Sequence, residues 1–164
     1  MSKLQVTVTD NVKKFQNPGK FRTIKGTILA PENAGLRFVL SVNNMAGKHD
    51  NHPLYSLFDK KWKKVKEEAK GWYATKTGAY KLGATNVTAV QSDTWVIHML
   101  CQDENQQTDV KALEDCLKKV SESAKYEKAS VHVSSLLTKA IPELLPLINT
   151  HLVQNGLNVS LYDE

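Results

Sequence analysis

The chain has 164 residues, 41% hydrophobic and 24% charged, the composition of a folded globular domain rather than a disordered tail, a collagen-like fibre or a disulfide scaffold. Lys and Arg number 22 against 17 Asp and Glu, and the formal charge of +5 mildly favours phosphates or polyanions as partners. Cys101 and Cys116 lack metal or redox spacing, no basic-then-apolar leader is visible, and no apolar run approaches the ~18 residues that span a bilayer. A reduced, cytoplasmic protein is expected, one domain over 1–164, without membrane contact.

Leu4, Val6 and Val8 alternate with polar residues and predict a strand, an edge extension over 1–20 ahead of a core over 21–164. Asn17-Pro18-Gly19 is a turn signal, and a second strand is expected from Phe21 to Lys25. Arg37 to Val42 is almost continuously apolar, as in a central strand covered on both faces. The polar interval from Asn43 to His52 is a loop of the kind that carries function. Pro53 suits the first turn of a helix whose buried stripe is Leu54, Phe58, Trp62, Val65 and Ala69, with Gly71 as its stop.

Ala79 to Val90 and Trp95 to Leu100 predict two more strands. Thr108 is the expected N-cap of a helix carrying Val110, Leu113, Leu117, Val120 and Ala124. A short strand follows at 130–134, in which His132 alternates with Val131 and Val133 and is expected near the surface. A third helix runs from Ile141 to Leu152, and Asn158 to Tyr162 closes the chain as a strand. This order predicts a three-layer α/β/α sandwich with a mixed central sheet, its ligand crevice at the carboxyl ends of the strands. Loops starting at Asn43, Cys101 and Ser134 would line that crevice.

Several residues there have chemistry to offer. Asn43 and Asn44 carry amides that orient a hydroxyl or a water, or else cap a strand end. His49 and Asp50 are candidate acid–base groups. The pair His49 and His52 has ligand-like spacing, but capping of the next helix is the simpler expectation, and no metal or cofactor is expected. His98 lies in an apolar strand and is expected to be buried and hydrogen-bonded. Lys60, Lys61, Lys63, Lys64 and Lys66 form the main basic cluster, suited to a polyanion or simply to solvent.

In this order the segments resemble the macrodomain family. Thr23 to Ile28 is similar to its opening strand and Gly-Asp-Ile turn, and Phe38 to Asn44 to the strand ending in its Asn-Ala-Ala-Asn loop. Val96 to His98 resembles its strand with an Ile-His pair, and Asn158 to Tyr162 its closing strand with a terminal aromatic. The nearest style is that of the small ADP-ribose 1″-phosphate phosphatase and deacylase-type members. The resemblance implies an ADP-ribose-type ligand held by Gly26, Thr27, Ile28, Asn43, Asn44, Gly47, Leu137, Thr138, Lys139 and Tyr162. It implies either hydrolysis, with Asn43, His49 or Asp50 positioning or activating a water, or binding alone.

Departures from the family pattern are plain. Thr27 replaces the acidic residue of the first turn, only Gly47 remains of the glycine run, and Leu137-Thr138-Lys139 stands where Gly-[Thr/Ser]-Gly is usual. The alternative expectation is therefore a catalytically inactive member that binds nucleic acid or a protein through a basic helix at Lys60–Lys66; an ADP-ribosylated protein is a further expected partner.

Overall fold

The computed structural model describes residues 18–49, 52–75 and 78–164; the alternating segment around Val6, expected as an edge strand, lies outside them. Among the described residues, six strands and five helices follow in the order β1 (Phe21–Lys25), β2 (Arg37–Asn44), α1 (Pro53–Phe58), α2 (Lys64–Ala74), β3 (Thr85–Gln91), β4 (Thr94–Gln102), α3 (Val110–Glu127), β5 (Ser130–Ser134), α4 (Ser135–Ala140), α5 (Leu144–His151) and β6 (Val159–Asp163). The sheet order is β1-β6-β5-β2-β4-β3. Every neighbouring pair is parallel except β3 with β4, which makes the sheet mixed.

Helices cover both sides of the sheet: α3 packs on β4 and α5, while α1 meets α2 and α4. Burial follows position. From Phe38 to Asn44 every residue of β2 is buried, as a central parallel strand with both faces covered requires. Phe38 stacks on Trp95 across the β2–β4 pair, ring centroids 5.7 Å apart. Strand β1, at one end of the described strand order, is largely exposed.

Four local expectations are corrected. The stripe from Leu54 to Ala69 belongs to two helices, because residues 59–63 turn while Trp62 packs on Phe58 at 5.9 Å. The hydrophobic spacing survives that break, so the pattern reads as one helix. Gly71 does not stop α2, which continues to Ala74; nothing lies within 4 Å of where its Cβ would be, and an exposed glycine is tolerated inside a helix. Asp109, not Thr108, caps α3, its carboxylate accepting from the Ala112 amide at 2.9 Å. Finally, Ser135–Ala140 is a helix rather than a phosphate loop: Ser134 caps it, and Leu137 is fully buried.

Candidate functional site

Strand β2 ends at an irregularity. Asn43 pairs with Leu100 but Asn44 with Gln102, so the register slips by one residue where the two asparagines leave the sheet. Bulges of this kind re-aim side chains and recur beside active sites. Asn44 then organises the following turn. Its Oδ1 accepts from the amides of Ala46 (3.1 Å) and Lys48 (3.0 Å), and its Nδ2 donates to the Lys48 carbonyl at 2.7 Å. Gly47, at φ +65°, completes this turn with the Tyr73 ring lying directly on it.

Asn43 is wholly buried, and its two amide atoms differ in fate. The Tyr55 hydroxyl on α1 lies 3.0 Å from Oδ1, while Nδ2 has no hydrogen-bond partner among the described residues. The Tyr80 hydroxyl, which donates to the Asn44 carbonyl at 2.7 Å, lies close to this side chain. An unpaired buried amide N–H costs about 1–3 kcal/mol unless something accepts from it. Asn43 thus holds a buried donor at the carboxyl end of the central strand.

Behind Asn43 runs a buried polar chain. Ser41 Oγ lies 3.1 Å from the Tyr55 hydroxyl, and His98 Nδ1 lies 3.5 Å from it. On the far side of the ring, His98 Nε2 meets Thr88 Oγ1 at 2.8 Å, and Thr88 donates to Glu68 Oε1 at 3.0 Å. Since the Thr88 proton goes to Glu68, Nε2 carries the imidazole proton and Nδ1 faces Tyr55 as an acceptor. Burial, and then His49, push His98 down to about 4, and burial holds the Tyr55 phenol far above its ordinary range. Both groups are neutral at pH 7.

His49 is also buried, its ring edge-on to Tyr55 at 4.9 Å. Asp50 lies outside the described residues. His52 caps α1 through Nδ1, which accepts from the Leu54 amide at 3.2 Å, as the capping expectation has it. No group of three or more metal-ligating side chains occurs among the described residues.

The β1 end is arranged differently. Gly26 is exposed, Thr27 Oγ1 accepts from the Leu29 amide at 3.2 Å, and the Ile28 amide donates to the Glu164 carboxylate at 2.8 Å. Glu164 in turn donates its backbone N–H to Ser135 Oγ at 3.1 Å, tying this turn to the start of α4. Within α4, Thr138 Oγ1 donates to the Ser135 carbonyl at 3.3 Å, Lys139 is exposed, and Leu137 faces the core.

Tyr162 is buried, stacked on His132 at 5.7 Å, with its hydroxyl 2.8 Å from His132 Nδ1. Its ring therefore lies inside the fold. His132 itself is wholly buried, which corrects its expected surface position: the face of β5 opposite Val131 and Val133 is covered too.

Sequence patterns single out Asn43, Asn44, Gly47 and a buried His98, and the structure gathers them at one end of β2. Tyr55, Thr88 and Glu164 escape such reading, because a tyrosine in a helical stripe, a strand threonine and an acidic residue after a strand carry no motif. Of the lysines, Lys61 donates to the Leu29 carbonyl at 2.8 Å and Lys66 faces Asp59 at 3.8 Å, while Lys60, Lys63 and Lys64 are exposed. Both cysteines are buried free thiols whose ionisation burial opposes, Cys116 being pushed up to about 12. No described helix is long and apolar enough to cross a membrane.

No family model and no curated protein matches this chain. Solved structures do. A macrodomain protein from Streptomyces coelicolor superposes with a TM-score of 0.79 over 88% of this chain and 99% of its own, at 22% identity. A protein of unknown function from Bacteroides thetaiotaomicron gives 0.77 over 89% and 99%, at 25% identity. The macrodomain of Thermus aquaticus DarG gives 0.62 over 89% and 99%, at 12% identity.

Proposed function

Because the chain has the macrodomain fold, we propose that its carboxyl-end loops bind a nucleotide of the ADP-ribose class. The observation that carries this is the Asn43 side chain: its oxygen lies against Tyr55 and its Nδ2 donor has no partner among the described residues. A ribose hydroxyl supplies the acceptor that such a donor needs. The slipped register at Asn43 and Asn44 and the turn clamped by Asn44 support the same position. At the β1 end, a ligand acceptor reaching the Ile28 amide displaces the Glu164 carboxylate that now occupies it.

Binding, rather than turnover, is the form of the activity we propose. A general base poised for water needs a pKa near the working pH. Of the groups behind Asn43, His98 is held at about 4 and Tyr55 keeps its proton firmly, so neither is such a base. Calorimetric titration with ADP-ribose is expected to give a saturable heat, with no release of ADP-ribose from a modified protein. No heat at millimolar ligand overturns the binding; release that Asn43→Ala abolishes overturns the non-catalytic form.

A further inference from the structure

At the opposite end of the sheet, where β5 and β6 begin and α3 ends, lies a cavity of about 410 Å³. Its polar lining is Asn33, Lys125, Lys128, Ser130 and Asn158, together with Gly156, and no acidic side chain lines it. The orientation of these groups is fixed by neighbours that can act in only one sense. The Arg22 guanidinium donates to Asn33 Oδ1, and the Lys20 amide donates to Asn158 Oδ1 at 2.9 Å. Both asparagines are thereby left with Nδ2, a donor, to offer.

Ser130 is set the same way by a longer chain. The Tyr162 hydroxyl accepts from the Glu32 amide at 2.8 Å, so its own proton goes to His132 Nδ1. The imidazole proton is then on Nε2 and is donated to Ser130 Oγ at 2.7 Å. The Ser130 hydroxyl proton is left to serve another acceptor. Lys125 and Lys128 form no ion pair among the described residues.

Lysines at a helix C-terminus have an ordinary use, since they complement the dipole there. That use accounts for the cations but not for the three neutral side chains beside them, each with a hydrogen left to donate. The dipole opposes an anion with roughly half a charge, against two ammonium groups. Part of it is also quenched, because the Ala124 carbonyl accepts from the Ala129 amide at 2.8 Å and the Lys125 carbonyl from the Lys128 amide at 3.3 Å.

We propose that this cavity is a second binding site, specific for a phosphate-type oxyanion and separate from the nucleotide site. A set of donors and cations with no acidic side chain among them selects a group with several acceptor oxygens and negative charge. The volume admits a phosphorylated small molecule and not only a bare ion.

The test is titration of the 15N-labelled chain with inorganic phosphate and with pyrophosphate, ionic strength held constant with chloride. Saturable shifts are expected at the Ser130, Gly156 and Asn158 amides, with pyrophosphate the tighter ligand. Two variants read the chemistry. Lys125→Ala with Lys128→Asn removes both charges, asparagine being suited to the left-handed backbone at 128 (φ 57°). Asn158→Asp keeps an acceptor for the Lys20 amide but replaces the remaining donor with a repelling oxygen. Each is expected to weaken pyrophosphate roughly tenfold or more while leaving the remaining amide spectrum in place. Linear, non-saturating shifts, shifts centred on the α2 lysines, or undiminished affinity in both variants would overturn the proposal.

Discussion

Gly47 meets two constraints at once. Its φ of +65° is costly for an alanine, and a Cβ would fall 2.4 Å from Tyr73 Cδ2. The Tyr73 ring itself packs on Tyr80, whose hydroxyl holds the Asn44 carbonyl. Gly47→Ala is therefore expected to lower stability by about 1–3 kcal/mol, read from the denaturant midpoint. A midpoint equal to that of the unaltered chain would contradict the close approach. At this scale much was legible beforehand: asparagines at a strand end and a lone glycine in a polar loop are recognisable by type. Tyr55 was not, because one atom of an otherwise apolar helix residue makes the contact that orients Asn43. Nor was His132, whose alternation with valines marks a different face but cannot say that this face is covered.

Among elements, α4 decides the character of the β5 end. Ser135–Ala140 is a helical turn whose Leu136 amide is taken up by the Ser134 cap at 3.1 Å. Leu137 is the buried side chain that pins the turn beside β5 and α1. Leu137→Ala is expected to cost about 2–5 kcal/mol, the range for emptying a packed leucine site. A cost near zero, measured by thermal or urea unfolding, would mean that the segment is a loop after all. Strands β2, β4 and β5 and helix α3 could be placed from periodicity because each is a run with one dominant pattern; the strand expected from Ala79 begins only at Thr85, after a turn over 79–84. The break between α1 and α2 could not, since a turn that preserves the spacing of Phe58, Trp62 and Val65 leaves no trace in that spacing. Helix α4 was hidden for the opposite reason: six residues are too few for a period to show.

For the molecule as a whole, two buried histidines set the acid side of stability. His98 is held at about 4 by burial and by His49, and His132 at about 3 by burial, Arg37 and Arg22, against 6.5 for an exposed ring. Because folded values lie below unfolded ones, the unfolded chain takes up protons first as pH falls. The contribution is complete above pH 6.5 and is lost on acidification through about 4 for His98 and about 3 for His132. Each ring is expected to remove about 1.4 kcal/mol per pH unit over its window. Urea unfolding at successive pH values reads the slope, and a histidine ring signal titrating near 6.5 at either position would contradict it.

The account as a whole depends on the Asn43 amide nitrogen being a donor kept for a ligand. The dissociation constant for ADP-ribose, compared between the unaltered chain and Asn43→Ala, measures this most directly. The expected loss is about 10- to 100-fold, the value of one buried hydrogen bond to a ligand oxygen, with the folded spectrum retained. Equal affinity in the two proteins would contradict it.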